Sequence, residues 1–138
     1  MADSKPHWTF WVIASLMLVW NTLGCINFFV QMDPEVLAAY RETEQAIVAN
    51  RPAWATIGFA VAVFGGVFGC ILLLFRQSVA IYIFIVSFAG VVVTMVHTLT
   101  VDISFGVGEI VGIILMPLII AGFLIWYTLF AKRKHWIY

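Results

Sequence analysis

The sequence predicts an all-α polytopic membrane protein: a four-transmembrane-helix bundle with a short amphipathic helix in the first outer loop. Three observations carry that expectation. The 138 residues are 64% hydrophobic and only 10% charged, with a mean hydropathy of +1.06, a balance foreign to water-soluble domains. Apolar runs of membrane-spanning length occur near residues 8–30, 53–75, 79–101 and 110–131. Between the first two runs, residues 34–49 mix charged and apolar side chains at helical spacing. These runs leave no space for a soluble catalytic domain, so the chain reads as a single membrane domain, 1–138.

The first run resembles a secretory signal at its end, where Thr22-Leu-Gly-Cys25 is close to a lipoprotein cleavage box. The hydrophobic stretch continues through Ile26, Phe28, Phe29 and Val30, which predicts an uncleaved anchor. Asn21 lies near its middle, beside Gly24 and Cys25 on the helical wheel. At that depth it can bond to Ser87 across a helix interface, which contributes about 0.6–2 kcal/mol, or it can face a ligand.

The outer loop opens with Asp33 as an N-cap, Pro34 at the first helical position and Glu35 at the positive end of the dipole. Pro52 stops the helix near residue 50. Val36, Tyr40 and Ile47 share a face that Glu44 interrupts, so the helix either caps the mouth of the bundle or grips a partner protein.

In the second span, Ala55, Gly58, Ala62, Gly65 and Gly69 fall on one narrow face, with Gly66 at its edge. Small residues let another backbone approach closely, and Gly65 to Gly69 is a formal G-x-x-x-G, so this stripe is a helix-packing surface. The two-residue turn Gln77-Ser78 makes spans two and three antiparallel neighbours.

Span three carries Ala80, Ile83, Ser87, Gly90, Thr94, His97 and Thr98 within an arc of about 100°. A polar arc on a membrane helix faces protein or water rather than lipid. Asp102 and the turn Gly106-Val-Gly108 then lead to Glu109 and span four. There Gly108 and Gly112 share a face with Gly122, a second packing surface, and Pro117 should kink the helix.

Counting helical rise places Asn27, Thr56 and His97 about 11–12 Å outward from the midplane, with Glu109 near the same edge. Together with Asn21, Ser87 and Thr94 they form a candidate polar site for a small polar solute, a quinone headgroup or a proton. The competing reading is that these groups hydrogen-bond between helices and to interfacial water. Cys25 and Cys70 fall about 8 Å and 9 Å to opposite sides of the midplane, too far apart for a disulfide.

Orientation follows from the basic residues. Lys5, Arg76, Lys132, Arg133 and Lys134 collect on one side and only Arg41 and Arg51 on the other, which predicts cytoplasmic N- and C-termini. Trp8, Trp11, Trp126, Tyr127, Trp136 and Tyr138 then anchor the inner interface and Trp54 the outer one.

No zinc-protease, C-x-x-C, nucleophile-elbow or phosphate-loop motif occurs, and His7, His97 and His135 cannot form a haem pair. Neither a catalytic residue, a metal site nor a cofactor is expected, and a net charge of zero without a basic stripe argues against nucleic acid.

Pro52-Ala-Trp-Ala-Thr56, Ala62-Val-Phe-Gly-Gly-Val-Phe-Gly69, Leu72-Leu-Leu-Phe-Arg76, Trp20-Asn21-Thr-Leu-Gly24 and Ser87 resemble a group of small four-span bacterial inner-membrane proteins. Members are sometimes labelled sugar transporters. A fainter similarity, in the small-residue second helix and the four-span plan, is to the DoxX-like proteins, without a redox motif here. The resemblance implies a bacterial inner membrane and this topology; it implies no chemistry.

The expected function is therefore non-enzymatic: an accessory subunit acting through helix contacts with the bilayer and a membrane-protein partner, or a small self-associating oligomer. The rivals are an oligomeric carrier or channel for a small polar solute or protons, and a quinone-binding redox accessory near His97 and Asn27.

Overall fold

The structure is a computed structural model that describes residues 5–49, 51–101 and 106–138. Its helices are α1 (Trp8–Val30), α2 (Pro34–Leu37), α3 (Glu42–Ala49), α4 (Ala53–Leu74), α5 (Ala80–Thr100), α6 (Val107–Glu109) and α7 (Met116–Arg133), with a π-helical segment, Ile110–Leu115, joining the last two. Among the described residues, four helical stretches are long and apolar enough to cross a membrane: α1, α4, α5 and the continuous run Val107–Arg133. The fold is thus an all-helical, four-span membrane bundle. α2, α3 and α6 lie at one end, the loop end. The start of α1, the α4–α5 turn and the end of α7 lie at the other, the tail end.

α4 is central, with α5 along one side and α1 along the other, and α7 packs on α5. Small residues set the α4–α5 spacing. A methyl group on Gly90 would meet Gly58 O at 2.6 Å and Ala62 N at 2.8 Å, and one on Gly58 would meet Val93 Cγ1 at 2.6 Å. Ser87 Oγ donates to Ala62 O at 2.7 Å across the same seam. A Cβ on Gly65 would lie 3.2 Å from Ser87 Cβ, one on Gly69 would lie 2.5 Å from Phe84 Cε1, and one on Gly66 would strike the Asn21 amide. Ala55 and Ala62 are buried in the same stripe. The stripe is consumed inside the chain, by α5 and α1.

Gly108 and Gly112 differ. Added methyl groups at either would meet nothing within 4 Å, so the expected packing surface at the start of span four is absent. Both are exposed, because this stretch lies at the bundle's edge.

The tail end is solid. Phe10, Ala14, Cys70, Leu73, Ala80, Phe84, Leu124, Tyr127, Ala131 and Ile137 form one buried cluster. Phe10 stacks on Tyr127 at 6.3 Å and meets Trp136 edge-on at 6.0 Å, which joins α1 to α7 here. α4 and α7 end alike, with Arg76 and His135 in the left-handed conformation (φ 61° and 59°). In each case the next residue's N–H bonds back five residues, Gln77 to Leu72 O and Trp136 to Ala131 O, both at 2.9 Å. The turn and the C-terminal segment are then pinned together by Tyr138 N–H to Arg76 O at 2.8 Å and Arg76 Nε to Trp136 O at 2.6 Å.

The expected single helix over 34–49 is two helices meeting at a corner. Asp33 caps α2 through Glu35 N at 3.0 Å. Tyr40 then turns toward α1, where its hydroxyl donates to Asn27 Oδ1 at 2.6 Å. The Gln45 amide donates to the carbonyls this break frees, Tyr40 O at 2.6 Å and Ala38 O at 3.2 Å. α3 presses Ile47 into the bundle mouth, where it is buried.

In span four, Pro117 is the second residue of α7, separated from the end of the π-helical segment by Met116 alone. Proline has no N–H to give and its ring crowds the carbonyl four residues earlier, so the wider π turn relieves the clash that a regular α turn would force.

Candidate functional site

α1 and α7 meet at the tail end through Phe10 and Tyr127, but α1 leans on α4 and α7 on α5. Between them, in the loop half, lies a cavity of about 470 Å³. This is within the roughly 300–1,000 Å³ of small-molecule sites. Its inner wall is apolar, built from Val63, Phe84, Val91, Met95, Ile120 and Leu124. Its rim toward the loop end is polar, with Asn27, Gln31, Arg41, Glu44, Arg51 and Thr98. α3 roofs it through Ile47 and Val48. The floor is the aromatic cluster of the tail end, to which Phe84 and Leu124 also belong.

Several candidate residues gather here. Asn21, Asn27, Ser87 and Thr94 line the cavity, as does Gly112. The expected Asn21–Ser87 bond is not formed. Asn21 Nδ2 instead donates to Met17 O at 2.8 Å and approaches Cys70 Sγ at 3.8 Å, while Ser87 is engaged with Ala62 O. Each polar side chain finds a nearer acceptor on or beside its own helix than across the gap. Thr94 and Thr98 likewise donate to the carbonyls of Gly90 and Thr94, both at 3.0 Å, which leaves their oxygens as acceptors toward the cavity.

Thr56, His97 and Glu109 are not part of the lining. The Thr56 hydroxyl turns back to Pro52 O at 3.4 Å. His97 is buried edge-on against Trp54, with ring centroids 5.9 Å apart. The Glu109 carboxylate accepts from Gly106 N at 3.2 Å and caps its own helix. Asp102 lies outside the described residues. Equal depth does not bring the four-helix polar layer together, because depth says nothing of which way each helix face points. Cys25 and Cys70 are free thiols.

The residue that sequence reasoning passed over is Arg51. It entered only as a topological charge, yet it stands at the rim with Nη2 donating to Gln31 Oε1 at 2.9 Å. Its guanidinium lies 4.9 Å over the Phe59 ring, and its Nε is buried without an acceptor. Burial lowers its pKa from the ordinary arginine value by disfavouring the charged form. Beside it, Arg41 and Glu44 pair with each other at 3.1 Å. A signal was present: an arginine immediately before Pro52 and an apolar span has no carboxylate within several residues.

No protein-family model, curated protein or solved structure matches this chain. What the cavity can hold follows from its own residues. An apolar wall with a polar rim suits an amphipathic molecule, whose chain replaces lipid contacts and whose head meets the rim donors.

Proposed function

We propose that this chain is a non-enzymatic membrane protein that binds an amphipathic small molecule between α1 and α7, as a carrier or reservoir of that molecule. The observation that supports this is the cavity itself, mostly apolar in its wall with a polar rim toward the loop end. The accessory-subunit reading drew on the glycine stripe and the loop helix. The stripe contacts α5 and α1 of the same chain, and Ile47 of α3 is buried in the mouth, so neither feature calls for a partner. A continuous channel finds no support, since the aromatic cluster fills the tail half. A quinone held between His97 and Asn27 lacks a histidine in the lining.

The charge asymmetry favours cytoplasmic termini and the sequence resemblance implies a bacterial inner membrane, so the cavity rim would face the periplasm. Reporter fusions after Lys134 should then behave as cytoplasmic and those within residues 42–45 as periplasmic; the reverse pattern would invert the site.

The binding reading is tested with a diazirine-bearing fatty acid in nanodiscs. Labelling should concentrate on residues 20–31, 87–98 and 113–124 and be displaced by unlabelled oleate. Labels spread over lipid-facing residues such as Leu16, Phe68 and Val86, with no displacement, would contradict it.

A further inference from the structure

The rim of the cavity is unequally charged. Glu44 is satisfied by Arg41 at 3.1 Å, whereas Arg51 has no ion-pair partner among the described residues. Gln31 Oε1 takes one guanidinium proton at 2.9 Å and the Phe59 ring covers one face. The Nε–H is buried with nothing to accept it. A half-buried guanidinium with an unmet donor is an incomplete arrangement, because both its charge and its hydrogen bond have left water without replacement. Burial lowering its pKa expresses the same deficit. An anion in the cavity would supply the countercharge that Arg51 lacks, and the planar fork of an arginine matches the two oxygens of a carboxylate or phosphate.

Beneath Arg51 the wall turns apolar through Val63, Val91, Met95 and Ile120. The volume of about 470 Å³ is smaller than a two-chain phospholipid. Building on the cavity-binding reading, we infer that the ligand is an anionic single-chain amphiphile, with its carboxylate or phosphate on Arg51 and its hydrocarbon chain between α1 and α7. Neutral amphiphiles leave the Arg51 deficit in place, and cationic ones would add to it. Glu44 does not reverse the preference, since its charge is already matched by Arg41.

The test is a titration of the full chain in phosphatidylcholine nanodiscs, read by the unfolding midpoint. The probes are oleate, 1-oleoyl lysophosphatidate, oleyl alcohol and monooleoylglycerol. At least one anion should stabilise the protein saturably, and the better of the two identifies the head as carboxylate or phosphate. Arg51→Gln should weaken that anion roughly ten- to a hundredfold, to the level of the neutral probes, while Arg51→Lys retains most of the affinity. Equal affinity for charged and neutral probes, or an unchanged anion affinity in Arg51→Gln, would overturn the inference. Ile113→Trp, which fills the cavity, then separates the two claims. Loss of all binding in that variant leaves the cavity reading standing with a neutral ligand. Unchanged binding there, or none in the wild type, removes both.

Discussion

Gly58 and Gly90 fix how closely α4 and α5 can run, because each presents hydrogen where the partner helix presents backbone or a valine methyl. Gly90→Ala should therefore force the helices apart and cost about 1–3 kcal/mol, the usual penalty for overpacking. Gly112→Ala meets open space and should stay within about 0.5 kcal/mol of wild type. Steric trapping or detergent-titrated unfolding measures both, with oligomeric state unchanged in each. Equal effects would mean that the seam is not as close as described. The stripe on α4 was legible because period 3.6 places small residues on one face whatever they touch. Its partner Gly90 was hidden inside a polar arc, and Gly108 and Gly112 shared a face that no helix covers.

The loop helices show what periodicity misses at the scale of an element. All four spans begin and end within a few residues of the apolar runs, since chain length and hydrophobicity alone determine them. The corner between α2 and α3 is invisible to such counting because its causes are remote: Tyr40 reaches Asn27 of α1, and Gln45 collects the freed carbonyls. Tyr40→Phe removes a 2.6 Å bond to a half-buried amide and should cost about 1 kcal/mol. The loss should be local. Hydrogen exchange of residues 42–49 should quicken while residues 80–100 stay protected, and uniform acceleration along the chain would show that the linker supports the whole bundle instead. The π-helical segment was likewise beyond reach. Pro117 announces a disturbance but not whether a kink or a widened turn absorbs it.

For the whole molecule, the decisive feature is an unequal closure: aromatic residues seal the tail half between α1 and α7, and the loop half stays open. No stretch of sequence contains that cavity, which depends on α1 choosing α4 and α7 choosing α5 as neighbours. Four of its polar residues, Asn21, Asn27, Ser87 and Thr94, were identifiable as polar groups inside spans. Arg51 offered only the lack of a nearby carboxylate in sequence, because it lies outside every span and its burial is tertiary. Native mass spectrometry tests the central claim most directly, on protein released from micelles after incubation with oleate and monooleoylglycerol. The account predicts one retained amphiphile per wild-type chain and a bare chain for Ile113→Trp, with matching circular dichroism. Wild type and variant carrying the same statistical spread of adducts, or both emerging bare, would contradict it.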